Sequence, residues 1–285
     1  MRTLLRDDDV RFSLVLATVG RTRELANFLA HLTAQSCPRF ELVVVDQNQD
    51  ERLLPVLAEY LARFPIQHLR SATGLSHARN VGLRCTSGNI VAFPDDDCWY
   101  PPDLLERVAK VFAANPEFGA VTGRPIDTAF SRFHKVSGAI DKQNLFLRCS
   151  SFTMFLRRNV VDAVGQFDEG LGLGSTRGRI AGEETDYLLR ALEAGFQLHF
   201  DAAIEVFHQE TPLLYDGNFN DKARGYNTAL GYLLRKHRYS LWYAAKTWIR
   251  AFGGMCLSVV SLDLPKARYH ANVLAGRVVG YLSQR

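Results

Sequence analysis

Residues 91–105, "VAFPDDDCWYPPDLL", set three consecutive aspartates directly behind a short apolar run. An apolar run of that length, bounded by turn residues, reads as a buried strand, and "YPPDLL" reads as the start of a helix. Adjacent carboxylates repel one another and are costly to bury without a cation or water. Taken as turn chemistry, Asp95, Asp96 and Asp97 need only solvent. Behind a strand of a parallel sheet, the same triplet suits a divalent ion, because Mg²⁺ or Mn²⁺ combines one or two carboxylates with substrate phosphates.

The flanking sequence supplies that sheet. "FSLVLATV" (12–19) and "ELVVVD" (41–46) are apolar throughout, as is "IVAF" (90–93). Each of the first two is followed by a helical pattern: 22–35, with Leu25, Phe28, Leu29 and Leu32 on one face, and 51–64, which tolerates Pro55 near its first turn. "GLSHARNVGLRCTSGN" adds a further loop and helix. Continuous apolar strands alternating with helices indicate a parallel sheet covered on both faces. Residues 12 to about 125 are therefore expected to form a Rossmann-like α/β unit, with Asp46 and Asp95 to Asp97 on one rim at the carboxyl ends of the strands, where ligands collect. Beyond 126 the rhythm changes: strands are expected at 150–158 and 202–208, a helix at 182–195 closed by Gly195, and helices from about 220.

Composition narrows the class. The 285 residues are 47% hydrophobic and 22% charged, the profile of a folded chain with a sizeable core. A net charge of +4 without a long basic run argues against nucleic acid as a partner. Five cysteines, far apart and without a C-x-x-C pair, read as reduced cytosolic thiols. "MRTLLRDDDV" lacks the design of a signal peptide, and no apolar run reaches the ~18 to 20 residues of a membrane span. The expected location is cytoplasmic, in solution or peripheral at the inner face of the cell membrane. There is neither a G-x-x-x-x-G-K-[ST] loop nor a G-x-G-x-x-G turn, so phosphate binding has to rest on a metal. Asp46, at the end of its strand, is placed either to accept hydrogen bonds from a base edge or simply to form a turn.

Six stretches in order, "SLVLATVGR", "VVVDQNQDE", "GLSHARNVGL", "FPDDDCWYPPDLL", "VGQFDEGLGLG" and "GEETDYLLRALEAG", resemble the inverting family 2 glycosyltransferases of the GT-A fold over about residues 12–210. The resemblance implies a GT-A catalytic domain over 1–215, with a nucleotide-sugar half at 12–125 and an acceptor half at 126–215, and a helical extension over 216–285. It implies that Ala17 and Thr18 line the nucleotide pocket, that Asp46 contacts the base, that Asp95 and Asp96 lie near ribose and phosphates, and that Asp97 holds Mn²⁺ or Mg²⁺. By the same resemblance Arg79 approaches the diphosphate and His208 reaches the metal. The family's base is usually the Asp of a "GED" sequence. Here "GEETD" stands instead, which gives Glu184 by position, with Asp186 and Glu183 as fallbacks. Helical geometry puts Glu184 on the face of Leu188 and Leu192 and Glu183 about 100° away from it, so Glu184 is expected to point inward.

The implied reaction moves a sugar from a nucleotide diphospho-sugar to a saccharide or lipid-linked acceptor, in bacterial surface polysaccharide or glycolipid synthesis. Two rivals stand beside it. A sugar-phosphate nucleotidyltransferase needs a Gly-rich basic loop after the first strand, where "ATVGRTRELANF" has a single Gly. A non-catalytic sugar-nucleotide-binding protein is the reading that Glu184 in place of Asp keeps open. Residues 126–180, including "STRGRIAG", are expected to shape the acceptor side. The C-terminal segment mixes Trp, Tyr, Lys and Arg with apolar stretches, which fits helices in a membrane interface as well as helices packed on the catalytic domain or on another subunit of a homo-oligomer.

Overall fold

The computed structural model describes residues 9–126, 135–208 and 217–283. The opening "MRTLLRDD", residues 127–134 of the expected acceptor side and the expected boundary at 215/216 lie outside the described residues. Within them the contacts divide the chain into two compact units. One comprises residues up to Phe167 together with Tyr187–Glu210, the other Asp168–Asp186 together with Thr211–Arg285.

The first unit is built on a nine-stranded sheet. Its strands are β1 (Phe12–Thr18), β2 (Phe40–Asp46), β3 (Ile66–Arg70), β4 (Ile90–Ala92), β5 (Cys98–Trp99), β6 (Phe118–Ile126), β7 (Gly138–Ile140), β8 (Met154–Arg157) and β9 (Gln197–His208). Their order is β3-β2-β1-β4-β8-β6-β9-β5, with β7 also on β9. Strands β1 to β4, β6 and β9 run one way, while β5, β7 and β8 run against them. This mostly parallel α/β sheet flanked by helices is the expected architecture. The apolar runs become the central strands: in β1 Phe12, Leu14, Val15 and Leu16 are fully buried, and in β2 Leu42 to Val45. The amphipathic helix α1 (Arg23–Thr33) buries Leu25, Phe28, Leu29 and Leu32, the four positions its spacing singles out.

Two expectations are corrected. The helix expected over 51–64 spans only α2 (Leu54–Ala58), and turns carry the chain onward. The following residues form β3, which was not foreseen; as an edge strand with two half-buried apolar residues it carries neither an apolar run nor a clean alternation. Helices α3 (Leu75–Leu83), α4 (Leu104–Ala114) and α5 (Arg158–Val164) complete this unit, together with the second half of α6 (Glu183–Glu193). Helix α6 stops at Gly195, whose φ of 85° suits a residue without Cβ, and the Phe196 N–H returns to the Ala191 carbonyl at 3.1 Å.

The second unit holds the start of α6 and three long helices, α7 (Gly217–Lys236), α8 (Leu241–Val260) and α9 (Leu264–Leu282). Helices α7 and α9 approach backbone to backbone. A Cβ on Gly280 would stand 2.0 Å from the Thr228 carbonyl oxygen, and one on Gly276 would stand 2.6 Å from that of Arg224. Glycines four apart on one helix face permit such a crossing, and a methyl group there forces the pair apart. Gly280→Ala is expected to cost about 2 kcal/mol, read as a lower midpoint in chemical denaturation.

Candidate active site

The register of the sheet assembles the acidic site. An isolated bridge joins Ala17 to Asp95, carrying β1 onto the triplet. Next, β5 pairs antiparallel with β9 so that Cys98 lies opposite His208. The residue before β5 therefore meets the end of β9: His208 Nε2 is 3.2 Å from Asp97 Oδ1. The ring of His208 stacks on Phe152, centroids 4.8 Å apart, which fixes its plane. Asp95, Asp97 and His208 can each offer one ligand atom, all within 4.8 Å of one another.

The three aspartates have separate surroundings. Asp95 accepts from Arg79 Nη2 at 3.0 Å and from Ser151 Oγ at 3.3 Å. Asp96, 6% exposed, accepts from Thr18 Oγ1 at 2.6 Å and from Arg21 Nη1 at 2.7 Å. The same Arg21 nitrogen also meets Asp97 Oδ2. One guanidinium thus offsets two of the three like charges. Burial pushes the Asp96 carboxyl up despite Thr18 and Arg21. Burial works in the same direction on Asp97, but there His208 and Arg21 prevail and hold the carboxyl below its usual value. Two carboxylates and an imidazole, all partly open to solvent, suit a hard divalent ion that keeps positions free for phosphate oxygens.

The remaining residues expected on the donor side have distinct placements. Ala17 is half-buried and Thr18 buried at the end of β1, where Thr18 serves Asp96. Asp46 has no exposed surface. One of its oxygens accepts from the Asn48 backbone N–H and side-chain amide, both at 2.8 Å; the other meets His68 at 3.0 Å and Arg70 at 3.2 Å. Arg79 is 1% exposed, and its guanidinium lies against Phe93 and Phe167 and faces Asp95, so any effect on a diphosphate passes through Asp95. Sequence reasoning missed Arg21, His68, Arg70 and Ser151. The signal for Arg21 was its place three residues past the end of β1, on the rim that carries the triplet.

The acids at the start of α6 belong, up to Asp186, to the second unit. The expected facing of the two glutamates is corrected: Glu183 is 4% exposed and buried, and Glu184 is half-buried. The facing rule assumes one wet side, whereas α6 also buries Thr185, Asp186, Tyr187, Leu188, Leu189 and Ala191, which lie around its whole circumference. Asp186, with no exposed surface, is held by Lys236 Nζ at 2.7 Å and His237 Nε2 at 2.8 Å. Lys236 also reaches Asp168 at 2.8 Å, and the Tyr232 hydroxyl donates to the same carboxylate at 3.2 Å.

This cluster gives stability a pH dependence. Burial opposes ionisation of Asp168, but the hydrogen bond from Lys236 and the Gly170 N–H prevail and lower its pKa below 3.8. For Lys236, burial is outweighed by Asp186 and Asp168, and its pKa rises above 10.5. A lowered acid stabilises above its unfolded value and loses that contribution as pH falls through the folded one, and a raised base loses it as pH climbs. Lys236→Met is expected to flatten both limbs, below about pH 4 and above about pH 10.5, and to cost about 3 kcal/mol at neutral pH by leaving buried Asp186 short of a cation. Denaturation midpoints across pH, compared with the unsubstituted chain, check both.

The mostly parallel sheet thus gathers acids, a histidine and an arginine at the carboxyl ends of its strands. The chain belongs to glycosyl transferase family 2, whose model matches residues 13–165. Among relatives, an uncharacterized glycosyltransferase of Haemophilus influenzae is 32% identical over 111 residues, 38% of this chain and 37% of that protein. Glycosyltransferase AglE of Haloferax volcanii is 24% identical over 215 residues, 70% of this chain and 67% of AglE. The chain thus spans little more than a third of the first relative and two thirds of the second. Among solved structures, the mannosyltransferase PcManGT of Pyrobaculum calidifontis, in complex with GDP-Man and Mn²⁺, superimposes with a TM-score of 0.66 at 16% identity, covering 96% of this chain and 87% of its own. Residues 1–349 of S. aureus TarS give 0.60 at 16% identity, over 94% and 90%. These likenesses establish the GT-A fold.

Proposed function

We propose that this glycosyltransferase is a metal-dependent, inverting enzyme that moves a sugar from a nucleotide diphospho-sugar to an acceptor hydroxyl. The observation that carries the reading is the convergence of Asp95, Asp97 and His208 at the strand ends of a family 2 sheet. Asp97 and His208 would hold Mn²⁺ or Mg²⁺, with Asp95 beside them. Such an ion supplies charge neutralisation for the departing nucleoside diphosphate. Support comes from PcManGT, solved with GDP-Man and Mn²⁺, and from TarS, solved with UDP-GlcNAc.

Ala17, Thr18 and Asp46 form the nucleoside side, with Asp46 acting by rigidifying the 46–48 turn. Asp96 anchors Arg21 and Thr18 beneath the phosphates. Glu184 is the general base: it takes the proton from the acceptor oxygen as that oxygen bonds to the anomeric carbon and the bond to the diphosphate oxygen breaks on the opposite face. Glu184 is only half-buried, whereas Asp186 has no exposed surface and is held by Lys236 and His237. Opposed attack and departure invert the anomeric centre. The acceptor is a saccharide or a lipid-linked saccharide of a bacterial surface polysaccharide or glycolipid, met on the cytoplasmic side of the cell membrane. A relative, the beta-monoglucosyldiacylglycerol synthase of Synechocystis, 30% identical over 182 residues, 55% of this chain and 36% of its own length, is in keeping with a lipid-borne acceptor.

Calorimetric titration of the folded chain with UDP, GDP and dTDP, with Mn²⁺ and then with excess chelator, tests the reading. One nucleotide is expected to bind, and only with metal. Failure of all three to bind a demonstrably folded chain overturns it.

A further inference from the structure

Helix α8 has two opposite faces of unlike chemistry. Ala244, Ala251 and Ser258, seven residues apart, are buried. Two residues earlier each time, and so about 160° round the helix, Trp242, Ile249 and Cys256 face outward, the first two 64% and 62% exposed. Phe252 and Val260 widen this outer stripe at 53% and 82%, and the turn into α9 extends it with Leu262 at 84%. The apolar face therefore runs the whole length of the helix, roughly 30 Å. No described helix is long and apolar enough to cross a membrane.

Charge accompanies the stripe. Residues 241–282 hold five basic side chains and the single acid Asp263, an excess of four positive charges that equals the net charge of the whole chain. Lys246 and Arg250 are exposed along one flank of the stripe, with Lys246 Nζ 5.3 Å from the Trp242 ring centroid, and Lys266 and Arg268 are exposed beyond the turn. Helix α8 itself contains no Asp or Glu.

We infer that α8 and the α8–α9 turn form a docking surface for an anionic lipid bilayer, with the helix lying flat in the headgroup region. The apolar stripe enters the acyl boundary, Trp242 rests at headgroup depth, and Lys246 and Arg250 extend to lipid phosphates. A second copy of the chain fits this face less well. A two-fold contact sets the same patch against itself, bringing Lys246 and Arg250 near their own copies with no acid on α8 to offset them. The inference rests on the membrane-side reading above but is tested without sugar donor or transfer, so the two can fail separately.

The experiment is sedimentation of the full chain with vesicles of phosphatidylcholine alone and of phosphatidylcholine mixed with phosphatidylglycerol. Binding is expected only to the mixed vesicles. Arg250→Glu is expected to weaken it about fivefold or more, and the double variant Ile249→Ser, Phe252→Ser to remove it. Unchanged thermal unfolding of these surface variants would show that the loss is not misfolding. The inference is overturned if the unsubstituted chain stays in the supernatant with mixed vesicles, or if the double variant binds as well as the original. It is equally overturned if the chain ignores vesicles and forms a concentration-dependent dimer that the double variant breaks, which would assign the face to a second copy.

Discussion

Asp97→Asn is expected to lower sugar transfer about a thousandfold and to abolish metal-dependent nucleotide binding. The substitution keeps the shape of the side chain and removes its charge. Asp97 is the triplet member that meets both His208 and Arg21, so the electrostatic balance of the cluster turns on it. An ion that neutralises a leaving diphosphate contributes several kcal/mol to the transition state, and about 4 kcal/mol corresponds to the stated factor. Folding is expected to be little affected, since relieving one of three adjacent like charges offsets the lost contacts. Titration of the variant with nucleotide and Mn²⁺ is the check. Unchanged metal-dependent binding would remove Asp97 from the metal site.

Glu184→Gln is expected to reduce turnover by about 10² to 10⁴ and to leave nucleotide affinity unchanged, the signature of a lost proton acceptor. The contrast with Asp186 separates chemistry from scaffold. Asp186→Asn disturbs the pairs with Lys236 and His237, so its expected effect falls on the denaturation midpoint, with turnover changing through loss of folded protein. Donor affinity, turnover and unfolding, measured on both variants, resolve the assignment. A Glu184→Gln enzyme with ordinary turnover would shift the role of base to another acid.

The contrast between α1 and β3 shows what the sequence could reveal. Helix α1 and strands β1 and β2 were legible because their apolar residues follow the period of the element and meet one continuous core. Strand β3 was not, because an edge strand needs little apolar surface, and the helix expected before it stops after five residues. The aspartate triplet stood out because like charges behind a buried strand are rarely placed together without cause. Arg21 was hidden for a different reason: it meets Asp96 across 75 positions, a proximity created by the sheet order and invisible to any local window. The facing of Glu183 and Glu184 failed because α6 is buried all round, so a rule that finds the dry side had no wet side to compare.

Lys236 and His237 have a consequence for how such enzymes diversify. Both lie at the end of α7, yet their partners Asp168 and Asp186 come from the stretch that precedes the last sheet strand, on the opposite side of β9 in the sequence. A chimera that exchanges the C-terminal helices for those of another protein would strip two aspartates of their counter-ions. The tail of this chain therefore cannot be traded as an independent cassette. Change in these helices would have to be matched by change at Asp168 and Asp186, in two separate stretches of the gene, a slower route than module swapping.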